Sequence, residues 1–291
     1  FGKGGVKEYL GGLLANFGET VMLAYGGGSI KCNGVYDEIM GILNAQGKCV
    51  VEFSGIMSNP TYAKVQEGAK LARENHVDLI LAAGGGSVSD RCKVISGAFD
   101  TLSHAMETYF GKPDENNLSD DINEAVMRSV IRNIRILLTD PENYDARSEL
   151  AWASAMAENG VLKIGKVTGF QAHQIEHQLG AYTNCNHGAG LAVIHPVLYR
   201  HIYKSGAARF ARFAQNVWGI APRDSDEETA AAGIDALAAF IKEIGLLTTF
   251  TELGIPADTD FRAITDSTNV TAGCCKKLTH DEICEILQEC L

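Results

Sequence analysis

The stretch Val21-Met22-Leu23-Ala24-Tyr25-Gly26-Gly27-Gly28-Ser29 decides the fold of this 291-residue chain. Five apolar residues that end in a run of glycines are typical of a buried strand that turns directly into a helix. The same form recurs later, because Leu79-Ile80-Leu81-Ala82-Ala83 is followed by Gly84-Gly85-Gly86-Ser87. Both stretches predict a strand, a glycine loop and a helix in that order.

The residues between these stretches predict the crossovers of a parallel sheet. Apolar residues repeat with helical spacing from Val35 to Leu43, Cys49–Phe53 is a further strand candidate, and a helix is expected from about Tyr62 to Asn75. A β-α-β-α-β order implies parallel strands joined by crossover helices. The first part of the chain is therefore predicted to be a Rossmann-like α/β domain.

Helical patterns dominate after about Gly97. One stripe with helical spacing contains Ile122, Val126, Val130, Ile134 and Leu137. Ser225 and Thr279 each have a glutamate three positions later, which is the spacing of a helix capping box. We therefore expect two domains, residues 1–97 as an α/β domain and residues 98–291 as an all-helical domain.

The number of predicted strands is low. A doubly wound domain usually has five or six strands, and this chain offers three before the helices begin. An internal segment is therefore expected to be missing near residues 93–98.

Composition excludes several classes of function. The net charge is −11 and the sequence contains no basic cluster, so a nucleic-acid groove or an anionic membrane surface is not expected. No run of eighteen apolar residues occurs, so no membrane span is predicted. The eight cysteines are scattered, which indicates reduced thiols in a cytoplasmic protein rather than a disulfide framework.

The glycine loops are candidates for phosphate binding. Glycine lets the backbone approach a phosphate closely, and a helix that follows supplies free N–H groups. The alternative interpretation is that both loops are ordinary strand-to-helix turns. The usual Gly-x-Gly-x-x-Gly fingerprint of dinucleotide binding is absent from the sequence. The first loop contains Ser29 and Lys31 but no carboxylate, which favours the 2′-phosphate of NADP over the free ribose of NAD.

A cluster of aspartate and histidine predicts a metal site. Asp100 and His104 are four residues apart, so on a helix they share one face. Three of the eight histidines, His173, His177 and His187, fall within fifteen residues. Such nitrogen and oxygen donors suit Zn²⁺ or Fe²⁺. Glu107 is expected to be only a solvated neighbour.

A rival reading exists for one helix. His173, Glu176 and His177 match the His-x-x-Glu-His pattern of inverted zinc peptidases, in which both histidines bind zinc and the glutamate is the base. That hypothesis leaves both glycine loops and Asp100 without a role. A third hypothesis is a nucleotide-binding protein without catalysis.

These motifs together resemble the iron-containing alcohol dehydrogenase family, and within it the NADPH-dependent butanol dehydrogenase-like group. The resemblance implies a Rossmann-like domain followed by an all-α domain, the architecture also found in dehydroquinate synthase. It implies a homodimer that interconverts small primary alcohols and aldehydes with NADP(H) and a divalent metal, Fe²⁺ or Zn²⁺.

The resemblance also implies residue roles. The metal ligands would be Asp100, His104, His173 and His187, while His177 would face the nicotinamide as the catalytic proton relay. The cofactor-binding residues would be Gly26, Gly27, Gly28, Ser29, Lys31, Asn59, Gly84, Gly85, Gly86, Ser87, Asp90 and Lys93.

The chain departs from the family at one place. Family members have a long segment between the residue that Lys93 matches and the Asp-x-x-x-His helix, whereas here Asp100 follows almost at once. Either the segment is truly deleted or its residues are missing from the sequence. We favour the second interpretation, because a deletion would remove strands from the core, and so expect a spatial break between Cys92 and Phe99.

Overall fold

The computed structural model describes residues 4–57, 61–84 and 91–291, with the side chains of all but residues 91–93. The chain divides into two units, Phe1–Asp90 and Arg91–Leu291. Each unit has its own core.

The first unit is built on a parallel sheet. Its described elements are α1 (Gly5–Leu14), β1 (Thr20–Tyr25), α2 (Ser29–Cys32), α3 (Val35–Ala45), β2 (Cys49–Phe53), α4 (Tyr62–Glu74) and β3 (Leu79–Ala83). Strand β1 lies in the middle, with Thr20 opposite Cys49 of β2 and Val21 opposite Leu79 of β3. The predicted strands and their parallel order are confirmed.

The alternation of side chains along β1 forms two small cores. Val21, Leu23 and Tyr25 pack on one face with residues of α1 and α3, while Met22 and Ala24 pack with Phe53 on the other. Successive side chains of a strand point to opposite faces, so a strand that is apolar throughout must be covered on both. This is why β1 carries no charged residue.

The second unit is helical. Its described helices are α5 (Arg91–Tyr109), α6 (Leu118–Thr139), α7 (Tyr144–Glu158), α8 (Gln171–Thr183), α9 (His187–Ile202), α10 (Ala207–Trp218), α11 (Asp226–Glu243), α12 (Phe261–Ser267) and α13 (His280–Glu289). The capping box at Thr279 is confirmed, and at Ser225 the side chain accepts from the Glu228 amide at 3.2 Å. The α/β part followed by an all-helical part agrees with the predicted fold class.

Helix α5 runs through the core of the second unit. Phe99, Leu102, Met106 and Tyr109 are fully buried on it. Burial of each such side chain contributes roughly 1.5–3 kcal/mol. The helix therefore holds its polar face, with Asp100 and His104, at a fixed position.

The expected break between Cys92 and Phe99 is wrong. Residues 91–109 form one unbroken helix, because Ile95, Ala98 and Phe99 continue the buried apolar stripe of α5 toward its start. The expected boundary at residues 97–98 falls inside α5, whose first turns belong to the second unit.

The helices and cysteines of the described residues bear on two further predictions, the membrane span and the disulfides. None of their helices has the length and apolar character needed to cross a bilayer. The seven cysteines whose side chains are described are free thiols.

Close packing of α10 against α11 depends on Gly233, and this can be tested by substitution. A Cβ at Gly233 would lie 2.7 Å from Ala214 Cβ, so Gly233→Ala should lower the free energy of unfolding by about 1–3 kcal/mol through overpacking. Chemical denaturation followed by circular dichroism measures the change.

Gly97→Ala is the matched control in the same unit. A Cβ at this exposed helical position would meet nothing within 4 Å, so the variant should gain about 0.5–1 kcal/mol. Equal stability of the two variants would contradict the packing argument.

Candidate active site

Asp100 and three histidines converge in the helical unit. Asp100 and His104 lie one turn apart on α5, His173 lies in the first turn of α8, and His187 begins α9. Asp100 Oδ1 is 3.3 Å from His173 Nε2, 3.5 Å from His187 Nε2 and 3.6 Å from His104 Nε2. One carboxylate oxygen therefore faces the same nitrogen of three imidazoles.

The distances from Asp100 are compatible with ligands of one divalent ion, and Asp100, His104 and His173 place donor atoms within 4.8 Å of one another. Ligand atoms held about 2.1 Å from one ion at tetrahedral angles are about 3.4 Å apart. The three distances lie on either side of that value. One oxygen and three imidazole nitrogens are donors that both Zn²⁺ and Fe²⁺ accept. The structure thus places Asp100 near the three histidines that the family resemblance implies as metal ligands.

Glu107 orients His173, so its expected role as a solvated neighbour is wrong. The side chain is buried and accepts from His173 Nδ1 at 2.5 Å and from the amides of Ala172 and His173 at 2.7 and 3.1 Å. With Nδ1 engaged, Nε2 is left to face Asp100. Glu107 follows His104 by three residues and therefore lies on the same face of α5. This spacing was the feature of the sequence that could have placed Glu107 beside the histidines.

Glu176 plays the same part for His187. Its carboxylate is buried and accepts from His187 Nδ1, and the Cys185 thiol donates to it at 3.6 Å. In the peptidase hypothesis this glutamate would be a free base beside zinc. Its hydrogen bond to His187 instead makes it an orienting group.

The paired carboxylates change the protonation of the histidines. Burial lowers the pKa of His173, but the hydrogen bonds with Asp100 and Glu107 outweigh burial and raise its pKa to about 9. His187 is likewise buried, and Asp100 and Glu176 raise its pKa to about 10. His104 behaves oppositely, because burial and neighbouring His173 lower its pKa to about 4. Without a metal, His173 and His187 therefore carry protons at neutral pH.

His177 occupies an exposed position one turn after His173 on α8. Its ring stacks on that of His187, with centroids 5.3 Å apart. The part of the ring that is covered by neighbours, together with the charge of His187, lowers the pKa of His177. Glu176, His177 and His187 also place donor atoms within 4.8 Å of one another. We prefer the grouping around Asp100 because Glu176 is already engaged by His187 Nδ1.

The two glycine loops begin at the same edge of the sheet. Tyr25 lies opposite Ala83 in the parallel register, so Gly26 and Gly84 follow neighbouring strand ends. A Cβ at Gly27 or Gly28 would meet nothing within 4 Å, which leaves open backbone for a phosphate. The predicted residues Asn59, Gly85, Gly86, Ser87 and Asp90 lie outside the described residues, as does the side chain of Lys93.

Glu52 is a residue near the first loop that sequence reasoning missed. Its carboxylate accepts from the hydroxyls of Tyr25 at 2.5 Å and Tyr36 at 2.6 Å, and lies 3.5 Å from Lys31 Nζ. The Lys31 ammonium also lies over the Tyr36 ring, 4.4 Å from its centroid. Glu52 is the residue before the last of β2, and its pairing with Leu23 of β1 in the parallel register was the signal that could have placed it there.

Two family models match this chain, and together they cover its whole length. "Iron-containing alcohol dehydrogenase" matches residues 1–125, and "Fe-containing alcohol dehydrogenase family, C-terminal" matches residues 94–291. Among curated relatives, NADH-dependent butanol dehydrogenase A of Clostridium acetobutylicum is 28% identical, over 89% of this chain and 87% of the relative. The NADPH-dependent aldehyde reductase YqhD of Escherichia coli is 26% identical, over 88% and 87%.

Solved structures share the fold. NADH-dependent butanol dehydrogenase A from Thermotoga maritima superposes with a TM-score of 0.91 at 24% identity, over 100% of this chain and 96% of that one. The alignment with NADH-dependent butanol dehydrogenase B of C. acetobutylicum spans 372 positions, although this chain has 291 residues. That relative therefore has residues without a counterpart here.

Metal uptake by this site should release protons. Because the pKa values of His173 and His187 are raised to about 9 and about 10, Zn²⁺ must displace their protons below that range. Apparent affinity should therefore rise with pH up to about 9–10. Calorimetry of the metal-free protein in buffers of different ionisation enthalpy counts the protons.

His280→Gln, at an exposed position on α13, is the control and should leave the proton count unchanged. An affinity that stays constant between about pH 7 and pH 9 would show that these histidines do not bind the ion.

Proposed function

The chain belongs to the iron-containing alcohol dehydrogenase family, and we propose that it transfers a hydride between NADP(H) and a small primary alcohol or aldehyde, such as butanol or butanal. One observation carries the proposal: the three imidazole Nε2 atoms that face Asp100 Oδ1. The names of the relatives, butanol dehydrogenase and aldehyde reductase, support this substrate class.

We assign the metal to Asp100, His104, His173 and His187, with Fe²⁺ or Zn²⁺ as the ion. When bound, the ion supplies a Lewis acid for the substrate oxygen, a contribution of about several kcal/mol. Glu107 and Glu176 hold the imidazoles of His173 and His187 in the orientation that this requires. Such orienting carboxylates also raise the basicity of the ligand.

His177 is proposed to move the proton. Its ring lies beside His187 but is exposed, so its free nitrogen can exchange a proton with water. Burial and His187 lower its pKa, which keeps the ring neutral and able to accept a proton at neutral pH. A ring nitrogen of His177 would take the proton that leaves the alcohol and return it in the reverse direction.

The cofactor is proposed to bind the first unit through both glycine loops, with a preference for NADP(H). The relatives include NADH-dependent and NADPH-dependent enzymes, so the preference rests on Lys31. Each oxygen of Glu52 accepts from a tyrosine hydroxyl, and we propose that this carboxylate serves Lys31 and not the ribose of NAD. It holds the Lys31 ammonium in place. We further propose a homodimer, and a cytoplasmic location that the free thiols support.

A second function is supported by the small number of strands in the described part of the first unit. The described part of the first unit contains three strands, fewer than a doubly wound domain usually has, and relatives have additional residues. This favours a protein that binds metal and nucleotide without turnover. The first experiment separates the two functions.

Butanal-dependent oxidation of NADPH should appear when the protein is loaded with Fe²⁺ or Zn²⁺ and should vanish with a chelator. His187→Ala should lose the metal and all activity. His177→Ala should retain the metal but turn over about 100-fold more slowly, because only proton transfer is impaired. Absorbance of NADPH and elemental analysis of the protein measure the two effects.

The alternatives predict different outcomes. Metal retained by His187→Ala and lost by His177→Ala would support the peptidase site. NADPH and metal binding by the unmodified protein without oxidation under either ion would support the second function.

Lys31→Ala should lower kcat/KM for NADPH by about 10–100-fold, because a charge-assisted contact with the 2′-phosphate is lost. Activity with NADH should change little. Lys70→Ala, which removes an exposed lysine of α4 that lies 3.7 Å from Glu74, is the control. Equal losses with both cofactors would rule out recognition of the 2′-phosphate by Lys31.

A further inference from the structure

Glu158 faces the metal site from the end of another helix. It is the last residue of α7, and its Oε1 lies 2.7 Å from His104 Nε2. The same nitrogen is 3.6 Å from Asp100 Oδ1. The Glu158 side chain remains half exposed, so this carboxylate lies at the solvent side of the site.

The position of Glu158 differs from that of the orienting carboxylates. Glu107 and Glu176 engage Nδ1 of their histidines, on the side away from Asp100. Glu158 instead approaches Nε2 of His104, the nitrogen offered to the ion. His104 Nδ1 is buried and has no hydrogen-bond partner among the described residues. Glu158 is therefore on the ligand side of the imidazole and does not orient it.

The local charge also favours a cation at this position. The carboxyl end of a helix carries a partial negative charge, so a glutamate as the last residue is unfavourable unless a cation lies nearby. The last turn of α7 contains no basic residue. Lys163 already exerts a positive charge on His104, and a divalent ion between His104 and Asp100 would add a stronger one.

We propose that Glu158 is a fifth ligand of the metal, which deepens the proposed function because it rests on the same site. The ion would then have three nitrogen and two oxygen ligands. Two carboxylates neutralise a divalent charge, and a five-ligand set with more oxygen suits Fe²⁺ better than the four-ligand set typical of Zn²⁺. Glu158 thereby favours iron at this site.

Cobalt substitution of the full-length protein tests the coordination number. The metal-free chain is loaded with Co²⁺, whose visible d–d bands are weak with five ligands and intense with four. Glu158→Gln keeps the size of the side chain but removes its charge. It should intensify these bands and weaken Co²⁺ and Fe²⁺ binding by about tenfold or more in competition with a chelator. Glu149→Gln, an exposed glutamate on the same helix, is the matched control.

Unchanged bands and unchanged affinity in Glu158→Gln would overturn the inference. X-ray absorption of the unmodified Fe²⁺ protein gives an independent count of nitrogen and oxygen ligands: five or more support the inference, and four contradict it, even if the variant fails to fold. The proposed function fails separately, when the unmodified protein binds no metal or does not oxidise NADPH with butanal.

Discussion

The carboxylate of Asp100 is the group on which the arrangement of the helical unit depends. A partly buried charge is tolerated when it is paired, and removal of one partner of a buried pair costs about 3–5 kcal/mol. Asp100 is paired with His173 and His187, which in turn hold the buried carboxylates of Glu107 and Glu176. The beginnings of α8 and α9 are thereby tied to α5 by charge as well as by apolar packing.

The carboxylates around the histidines have different tasks because they meet different nitrogens. Glu107 and Glu176 accept from Nδ1, which leaves Nε2 directed at Asp100. The cost of burying these charges is offset by the hydrogen bonds, and the same bonds raise the pKa values of His173 and His187. Preparation of the site for a metal and protonation of the empty site thus have one cause, and an ion must displace protons to enter.

The first unit shows a comparable use of a charge. Glu52 is held by two tyrosine hydroxyls and lies against Lys31 at the edge where the glycine loops start. A lysine in this position is restrained by an ion pair and by the Tyr36 ring, so less conformational entropy is lost when it meets an anion. The role of the Glu52 carboxylate beside the first glycine loop is therefore set by the side chains that it contacts.

The sequence by itself determined the parallel strands and the helical second part, and its pattern marked Asp100, His104, His173, His177 and His187 as candidate metal ligands. The choice of His187 over His177 came from the resemblance to the family. Periodicity and glycine runs are local, and so are pairs of residues four apart on one helix. Only the tertiary structure decided the contacts of Glu52, Glu107, Glu158 and Glu176, because each meets a residue of another element or a nitrogen whose direction depends on packing. The unbroken start of α5 was also beyond the sequence reading, since burial of Ile95 and Phe99 depends on helices that follow much later in the chain.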